Sequence, residues 1–238
     1  MRPALFRYPA ALSGHTSYAA DVIARFRGSC IRYWPLDDES SNRARELVKG
    51  EHGARTGTTL GQPGFDGTST YFDGVNDFVN IYSAALNADF DGNNGTLVCW
   101  VRVDSDTWTD AARHVVAHLY VDTSNRLTIR KEVNGTLGYV VVGDGTGSYA
   151  YPSTTSTEWL CLALTWNATQ FVPYINATPD VAKAKGTWSG NLAPTVVLLG
   201  ADNSSPAYPW LGYIAHVSLF NRALEPAEIA WIFKEAGS

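Results

Sequence analysis

The stretch Leu97-Val98-Cys99-Trp100-Val101-Arg102-Val103 decides the fold. Apolar side chains occupy both parities, and β-branched valine takes three of the seven positions. Successive side chains of a strand point to opposite faces, so this strand is expected to be covered on both sides. Trp159-Leu160-Cys161-Leu162-Ala163-Leu164-Thr165-Trp166 repeats the pattern. Arg126-Leu127-Thr128-Ile129-Arg130-Lys131 instead alternates cleanly, which predicts one wet face. Doubly covered and half-covered strands together describe packed β layers.

Working outward, strands are expected over residues 31–36, 69–72, 77–82, 96–103, 114–121, 126–133, 138–142, 158–167, 170–177, 195–200 and 211–220. Turn pairs punctuate them, among them Asp73-Gly74, Asn134-Gly135, Asp144-Gly145, Asn167-Ala168 and Ser189-Gly190. Such regular short strands argue for a sandwich. Two helices frame them. Residues 17–27 place Tyr18, Val22, Ile23 and Phe26 on one face, with Gly28 as a stop. Residues 226–235 open on Pro226, carry Glu228 in the first turn, and repeat Ile229, Ile232 and Phe233 at helical spacing. The expected fold is all-β, an antiparallel two-sheet sandwich with a short N-terminal and a C-terminal helix. Residues 1–28 form an N-terminal arm and short helix, and residues 29–238 the sandwich domain.

Composition agrees. The 238 residues hold 18 Lys and Arg against 23 Asp and Glu, a net charge of −5, and 12% are aromatic, including 8 Trp. A mildly acidic chain lacks the clustered cations that neutralise phosphates, so nucleic acid is excluded as a partner. Charged residues make up 17%, and low charge with many aromatics is the opposite of a disordered composition. No uncharged apolar run reaches the roughly 18 residues of a membrane span. Pro3, Arg7 and Pro9 interrupt the first residues, so no signal peptide is visible. Cys30, Cys99 and Cys161 are an odd number of thiols. They read as buried small hydrophobes, with a Cys99–Cys161 bridge left open.

Four segments in order resemble the laminin G-like, concanavalin A-like jelly-roll family. The first is Tyr18-Ala19-Ala20-Asp21-Val22-Ile23 with Tyr33-Trp34-Pro35-Leu36-Asp37-Asp38-Glu39-Ser40. The second is Tyr71-Phe72-Asp73-Gly74-Val75-Asn76-Asp77-Phe78-Val79. The third is the 159–166 strand with Tyr174-Ile175-Asn176, and the last runs from Gly212 through Leu224 into the helix with Glu228-Ile229. The opening segment also resembles the leader of such modules in tailed-phage virion and actinobacterial surface proteins. The resemblance implies the jelly-roll fold and, as in many members, a structural calcium ion; no other cofactor is expected. Asp37, Asp73 and Asp77 are the candidate ligands, and turn and cap duty is the alternative reading of all three. The segment Ser41-Asn42-Arg43-Ala44-Arg45-Glu46 departs from the family's Gly and Asp pattern at this point.

Catalytic signatures are missing. Glycoside hydrolases of this fold usually carry a Glu-x-Asp-x-Glu strand, which sets two carboxyls within reach of one glycosidic bond. None of the eight Glu residues is followed two positions later by Asp. Asp104, Asp106 and Asp110 cluster around Trp108 in a stretch that reads as a solvated loop. His114 and His118 read as two histidines sharing one strand face, without a third ligand. Gly143-Asp144-Gly145-Thr146-Gly147 reads as a hairpin, since nothing after it can open a helix.

Sugar recognition needs aromatic faces together with amides and hydroxyls. Trp108, Tyr149, Tyr151, Trp188, Tyr208 and Trp210 fall in Gly-, Pro-, Ser- or Asp-rich connections and are the candidate ligand-binding residues. Trp34, Trp100, Trp159, Trp166 and Trp231 fall in strands or the helix and are expected in the core. The function expected is a non-catalytic surface-recognition module on a phage-type virion, binding a glycan or cell-surface polysaccharide. An extracellular-style fold without an export signal fits release by lysis, and the virion or an extracellular surface is the expected location. The arm of residues 1–28 would then dock on virion proteins or on a second copy in a homo-oligomer. A purely structural virion protein is the alternative, and a hydrolase with carboxylates from distant strands is the third reading.

Overall fold

A computed structural model describes residues 17–203 and 205–236. In chain order the first elements are α1 (Tyr18–Arg25), β1 (Cys30–Trp34), β2 (Arg43–Ala44), β3 (Gly53–Thr56), β4 (Thr59–Pro63), β5 (Thr68–Asp73) and β6 (Phe78–Asn80). Then come α2 (Ala84–Asp89), β7 (Gly95–Arg102), α3 (Ser105–Thr109), β8 (His114–Asp122), β9 (Asn125–Lys131), β10 (Leu137–Gly143) and β11 (Thr146–Ala150). The last are β12 (Leu160–Trp166), β13 (Gln170–Ile175), β14 (Thr178–Pro179), β15 (Lys183–Ala184), β16 (Leu198–Leu199), β17 (Leu211–Phe220) and α4 (Pro226–Glu235).

The strands form two antiparallel sheets. One runs β14-β13-β12-β7-β17-β5-β4, with β1 also paired to β17 and β15 to β13; the other runs β11-β10-β9-β8-β16-β6-β3-β2. Strand β7 lies in the middle of the first sheet and is buried on both faces, as its apolar parities predict. Leu97, Cys99 and Val101 enter the core between the sheets, where they meet Leu127, Ile129, Tyr139 and Val141. Val98 and Trp100 enter a second core on the opposite face, closed by Tyr18, Val22 and Phe26 of the N-terminal region and by Ile229 and Ile232 of α4. Each such buried aliphatic or Phe side chain stabilises by about 1.5–3 kcal/mol.

The end helices are therefore integral to the packed unit, and the boundary expected at residue 28 falls inside it. The Ser17 side chain caps α1 by accepting from the Ala20 N–H at 3.3 Å. The Tyr18 hydroxyl donates to Ile232 O at 3.1 Å, and the rings of Phe26 and Trp231 meet edge-on with centroids 5.8 Å apart. Residues 1–16, the first part of the 1–28 arm expected to dock on a partner, lie outside the described residues.

A register shift in β17 between Ala215 and Ser218 places His216 at φ 47°. The bulge directs its ring to the Tyr33 hydroxyl at 2.9 Å, inside the second core, where burial pushes the His216 pKa down. A second shift in β8, between Val115 and Ala117, corrects the pairing expected of its histidines. His114 lies opposite Lys131 and His118 opposite Thr128, three positions apart, so the two face opposite ways. His114 instead joins Asp110 at 2.6 Å, and buried Lys131 donates to the same carboxylate. Burial raises the Asp110 pKa, but these donors and the Ala112 N–H outweigh it and leave the group below its ordinary value. The Asp104–Asp110 stretch is accordingly the short helix α3 with an anchored end, not a solvated loop.

Cys30, Cys99 and Cys161 are free and buried. Strands β7 and β12 are neighbours, but Cys99 lies opposite Leu162 and Cys161 opposite Trp100. The two thiols thus point to opposite faces of one sheet and cannot bridge. Burial, with the Glu46 charge second, pushes the Cys30 pKa up to about 12, and burial raises Cys99 and Cys161 as well. All three are expected to stay unmodified by a maleimide in the native protein and to react within minutes in denaturant. Counting labels by mass spectrometry checks this, and rapid native labelling of Cys99 or Cys161 would contradict the packing.

Candidate functional site

The six candidate aromatics divide by burial. Trp108, Trp188 and Trp210 are 3%, 7% and 0% exposed, whereas Tyr149, Tyr151 and Tyr208 are 44%, 50% and 45% exposed. The three tryptophans expected in connections as candidate ligand-binding residues are thus buried and present no free ring face. Trp108 sits on α3 and its Nε1 donates to Ser156 O at 2.9 Å. Trp188 is wedged against Gly92, where an added Cβ would lie 2.0 Å from the indole. Trp210 is enclosed in the core between the sheets. All three plug the sandwich.

The tyrosines remain on the surface. Tyr149 lies on β11 rather than in a loop, opposite Val140 of β10. Tyr151 follows just after the strand, and the two rings are nearly parallel, 9° between planes and 6.1 Å between centroids. Tyr208 stands apart, with the Arg113 guanidinium 5.0 Å from its ring centre. Arg113 is committed to Glu132, which also takes Arg130. Nearby His118 accepts or donates at Thr128 Oγ1, 2.8 Å away, and burial, then the charges of Arg126 and Arg130, pull its pKa down to about 4. It is neutral at neutral pH.

Tyr151 is followed directly by Pro152 and Ser153, which begin one wall of a cleft of about 460 Å³ between the edges of the two sheets. Ser153, Thr154 and Ser156 line it from the β11 side, and Asn176, Thr178 and Asp180 from the β13–β14 side. Leu160, Pro173 and Ile175 supply apolar surface. Asn176 is held by a reciprocal pair with Cys161, its Oδ1 accepting and its N–H donating at 2.9 Å each. The Tyr139 hydroxyl donates to Tyr174 O at 2.9 Å and ties the sheets together at this edge. The hydroxyls, amide and one carboxylate of the cleft can hydrogen-bond a polyhydroxylated ring, and the two exposed phenol rings, which precede its first wall in the chain, offer aromatic faces. Sequence reasoning reached the tyrosines but missed the cleft, whose two walls are distant in the chain.

The three candidate calcium ligands do not converge. Both Asp37 carboxylate oxygens take Arg45 Nη2, at 3.0 and 3.2 Å. Asp73 Oδ1 accepts from the Val75 and Asn76 N–H groups, and Asp77 Oδ2 from the Asp73 N–H. These are turn and ion-pair contacts, and among the described residues no group of three or more His, Cys, Asp or Glu could hold a metal ion. The residues do not fit a shared calcium site.

Two antiparallel sheets packed face to face define a β-sandwich of the jelly-roll class. A sequence profile of the concanavalin A-like lectin/glucanases superfamily matches residues 87–230, and the chain belongs to that superfamily. The botulinum neurotoxin serotype D ligand binding domain, solved in complex with N-acetylneuraminic acid, superposes with a TM-score of 0.69 at 12% identity, over 90% of this chain and 52% of that one. The receptor binding domain of botulinum neurotoxin C/D mosaic serotype gives 0.67 at 12%, over 87% and 51%. The serotype D binding domain gives 0.66 at 13%, again over 87% and 51%. At such identity the likeness shows the fold alone, and the chain spans about half the length of these domains. No curated protein matches it in sequence.

Proposed function

We propose that the protein is a non-catalytic carbohydrate-recognition module whose site is the Tyr149–Tyr151 pair with the adjoining cleft. The observation that carries this is the pair itself: two half-exposed, nearly parallel rings, followed in the chain by residues that begin a wall of hydroxyl side chains. Membership of a superfamily that includes lectins supports it, as does the sialic acid held by one structural neighbour. A non-catalytic role is supported by the cleft's chemistry, because Asp180 is the one carboxylate among its lining residues and glycoside hydrolysis ordinarily needs two. For the setting we favour a phage-type virion binding a cell-surface polysaccharide. What supports this is the resemblance of Tyr18-Ala19-Ala20-Asp21-Val22-Ile23 and the segment after it to virion leaders.

A glycan array of bacterial polysaccharides tests the reading. Wild type is expected to bind at least one, and the double variant Tyr149→Ala/Tyr151→Ala to lose about tenfold or more in affinity. Ring contacts are worth about 0.5–1.5 kcal/mol each beyond burial, and about 1.4 kcal/mol is tenfold. Stability should move by less than about 1 kcal/mol, because both rings are exposed. Silence across the array would leave the structural reading, and release of reducing sugar by pure protein would end the non-catalytic one.

A further inference from the structure

The outer face of the first sheet carries another arrangement that sequence reasoning did not single out. Tyr71 of β5 lies opposite Tyr213 of β17, and Tyr213 lies opposite Arg102 of β7. Trp159, one residue before β12, continues the row where Leu160 meets Val101. Four side chains from four neighbouring strands therefore form one rung on one face. The Tyr71 and Tyr213 rings are 5.0 Å apart, and those of Tyr213 and Trp159 are 6.5 Å apart. The Arg102 guanidinium is held between them, 4.2 Å from the Tyr213 centroid and 5.6 Å from that of Trp159. The second core ends beside this rung, and Tyr71, Tyr213 and Arg102 remain partly exposed.

Arg102, like Arg25, Arg27, Arg43 and Arg126, has no carboxylate within ion-pair distance among the described residues, and it is the one of these that sits in this rung. Arg32, Arg45, Arg55, Arg113, Arg130 and Arg222 each have a carboxylate within ion-pair distance. Arg102 has neither an ion pair nor a hydrogen bond from its guanidinium among the described residues, in a chain where acidic groups outnumber basic ones by 23 to 18. Stacking fixes the planar fork against aromatic faces and leaves its N–H edges unspent. A fork fixed in this way suits a carboxylate, which it can grip with two parallel charge-assisted bonds. Tyr71 adds a hydroxyl that burial, followed by the neighbouring Tyr213 and the Asp104 charge, keeps protonated.

We propose that Tyr71, Tyr213, Arg102 and Trp159 form a second recognition site, separate from the cleft, for a carboxylate-bearing sugar. The carboxylate pairs with Arg102 while the C–H face of the sugar ring lies on the tyrosines. A peptide carboxylate would gain the ion pair without that face contact, which favours the sugar. The site stands whether or not the cleft binds glycan.

Titration of the full chain with oligogalacturonate, read by calorimetry and tryptophan fluorescence, tests the assignment against the fully methyl-esterified oligomer and a polyglutamate peptide. Oligogalacturonate is expected to bind at least tenfold more tightly than either control and to weaken as salt rises. Arg102→Gln should lose about tenfold or more, and Arg102→Lys should recover only part of it. Circular dichroism of each variant reports folding, and the acid-against-ester comparison on wild type needs no variant. Equal affinity for acid and ester, equal affinity for polyglutamate, or an unchanged Arg102→Gln variant would overturn the proposal.

Discussion

Trp210→Ala is expected to cost about 3–5 kcal/mol of folding free energy, or roughly 10–15 °C in melting midpoint for a chain of this size. Trp210 is completely buried between the sheets, where the 201–209 connection rejoins β17, and its N–H donates to Gly200 O at 2.7 Å. Gly212 sits at φ +142°, and a Cβ there would lie 2.5 Å from Arg102 O. Trp210→Phe should recover most of the loss, because the indole Nε1 makes no hydrogen bond among the described residues and removing it leaves no acceptor unmet. Trp108→Phe, by contrast, abandons Ser156 O. Urea unfolding checks both, and a Trp210→Ala loss below about 1 kcal/mol would contradict the packing.

Glu46→Ala should be comparably severe, at about 2–4 kcal/mol, because one buried and several part-buried backbone donors lose a charged acceptor. The carboxylate is buried and accepts from the N–H groups of Tyr33 at 3.0 Å, Val48 and Lys49 at 2.7 Å each, and Glu51 at 3.4 Å. One side chain thereby satisfies the backbone of the 46–51 turn and fastens it to β1. Alanine leaves the Tyr33 N–H buried without an acceptor and strips the part-buried N–H groups of the turn of theirs. Glu46→Gln is the sharper probe: it keeps the shape but turns one end into a donor facing donors. It should lose nearly as much as alanine, and a near-neutral Gln variant in the same unfolding measurement would show that the carboxylate is not the organiser.

Glu46 also marks where the sequence was hard to read. It closes the segment that departs from the family pattern, and nothing local announces a carboxylate that serves four backbone groups. The doubly apolar strands were legible because their burial is written in both parities: β7, β12 and β17 fall within a few residues of expectation, and α4 falls on it. Strands β2, β3 and β4 were missed because they are short edge pairings, with side chains such as Arg43, Thr56 and Gln62 that show no apolar alternation. Strand β11 was hidden by its glycine and serine content. Trp108, Trp188 and Trp210 were misplaced for one shared reason. Polar and turn-forming neighbours predict a connection, but not which way its largest side chain turns, and here each indole turns inward. Gly92 held a clue for Trp188, as Gly95 did for Trp166, since both indoles occupy the space of a missing Cβ. The cleft and the Arg102 rung depend on register between distant segments, which composition does not encode.

The contact between the first and last helices has a topological consequence. Because the Tyr18 hydroxyl reaches Ile232 O and Phe26 reaches Trp231, the described polypeptide begins and finishes against the same sheet. The two ends of the described polypeptide, residues 17 and 236, therefore lie close together, as two leads leave one end of a pendant. Spliced into a loop of another protein, the sandwich would need only a short gap between attachment points, a geometry that favours insertion and tandem display.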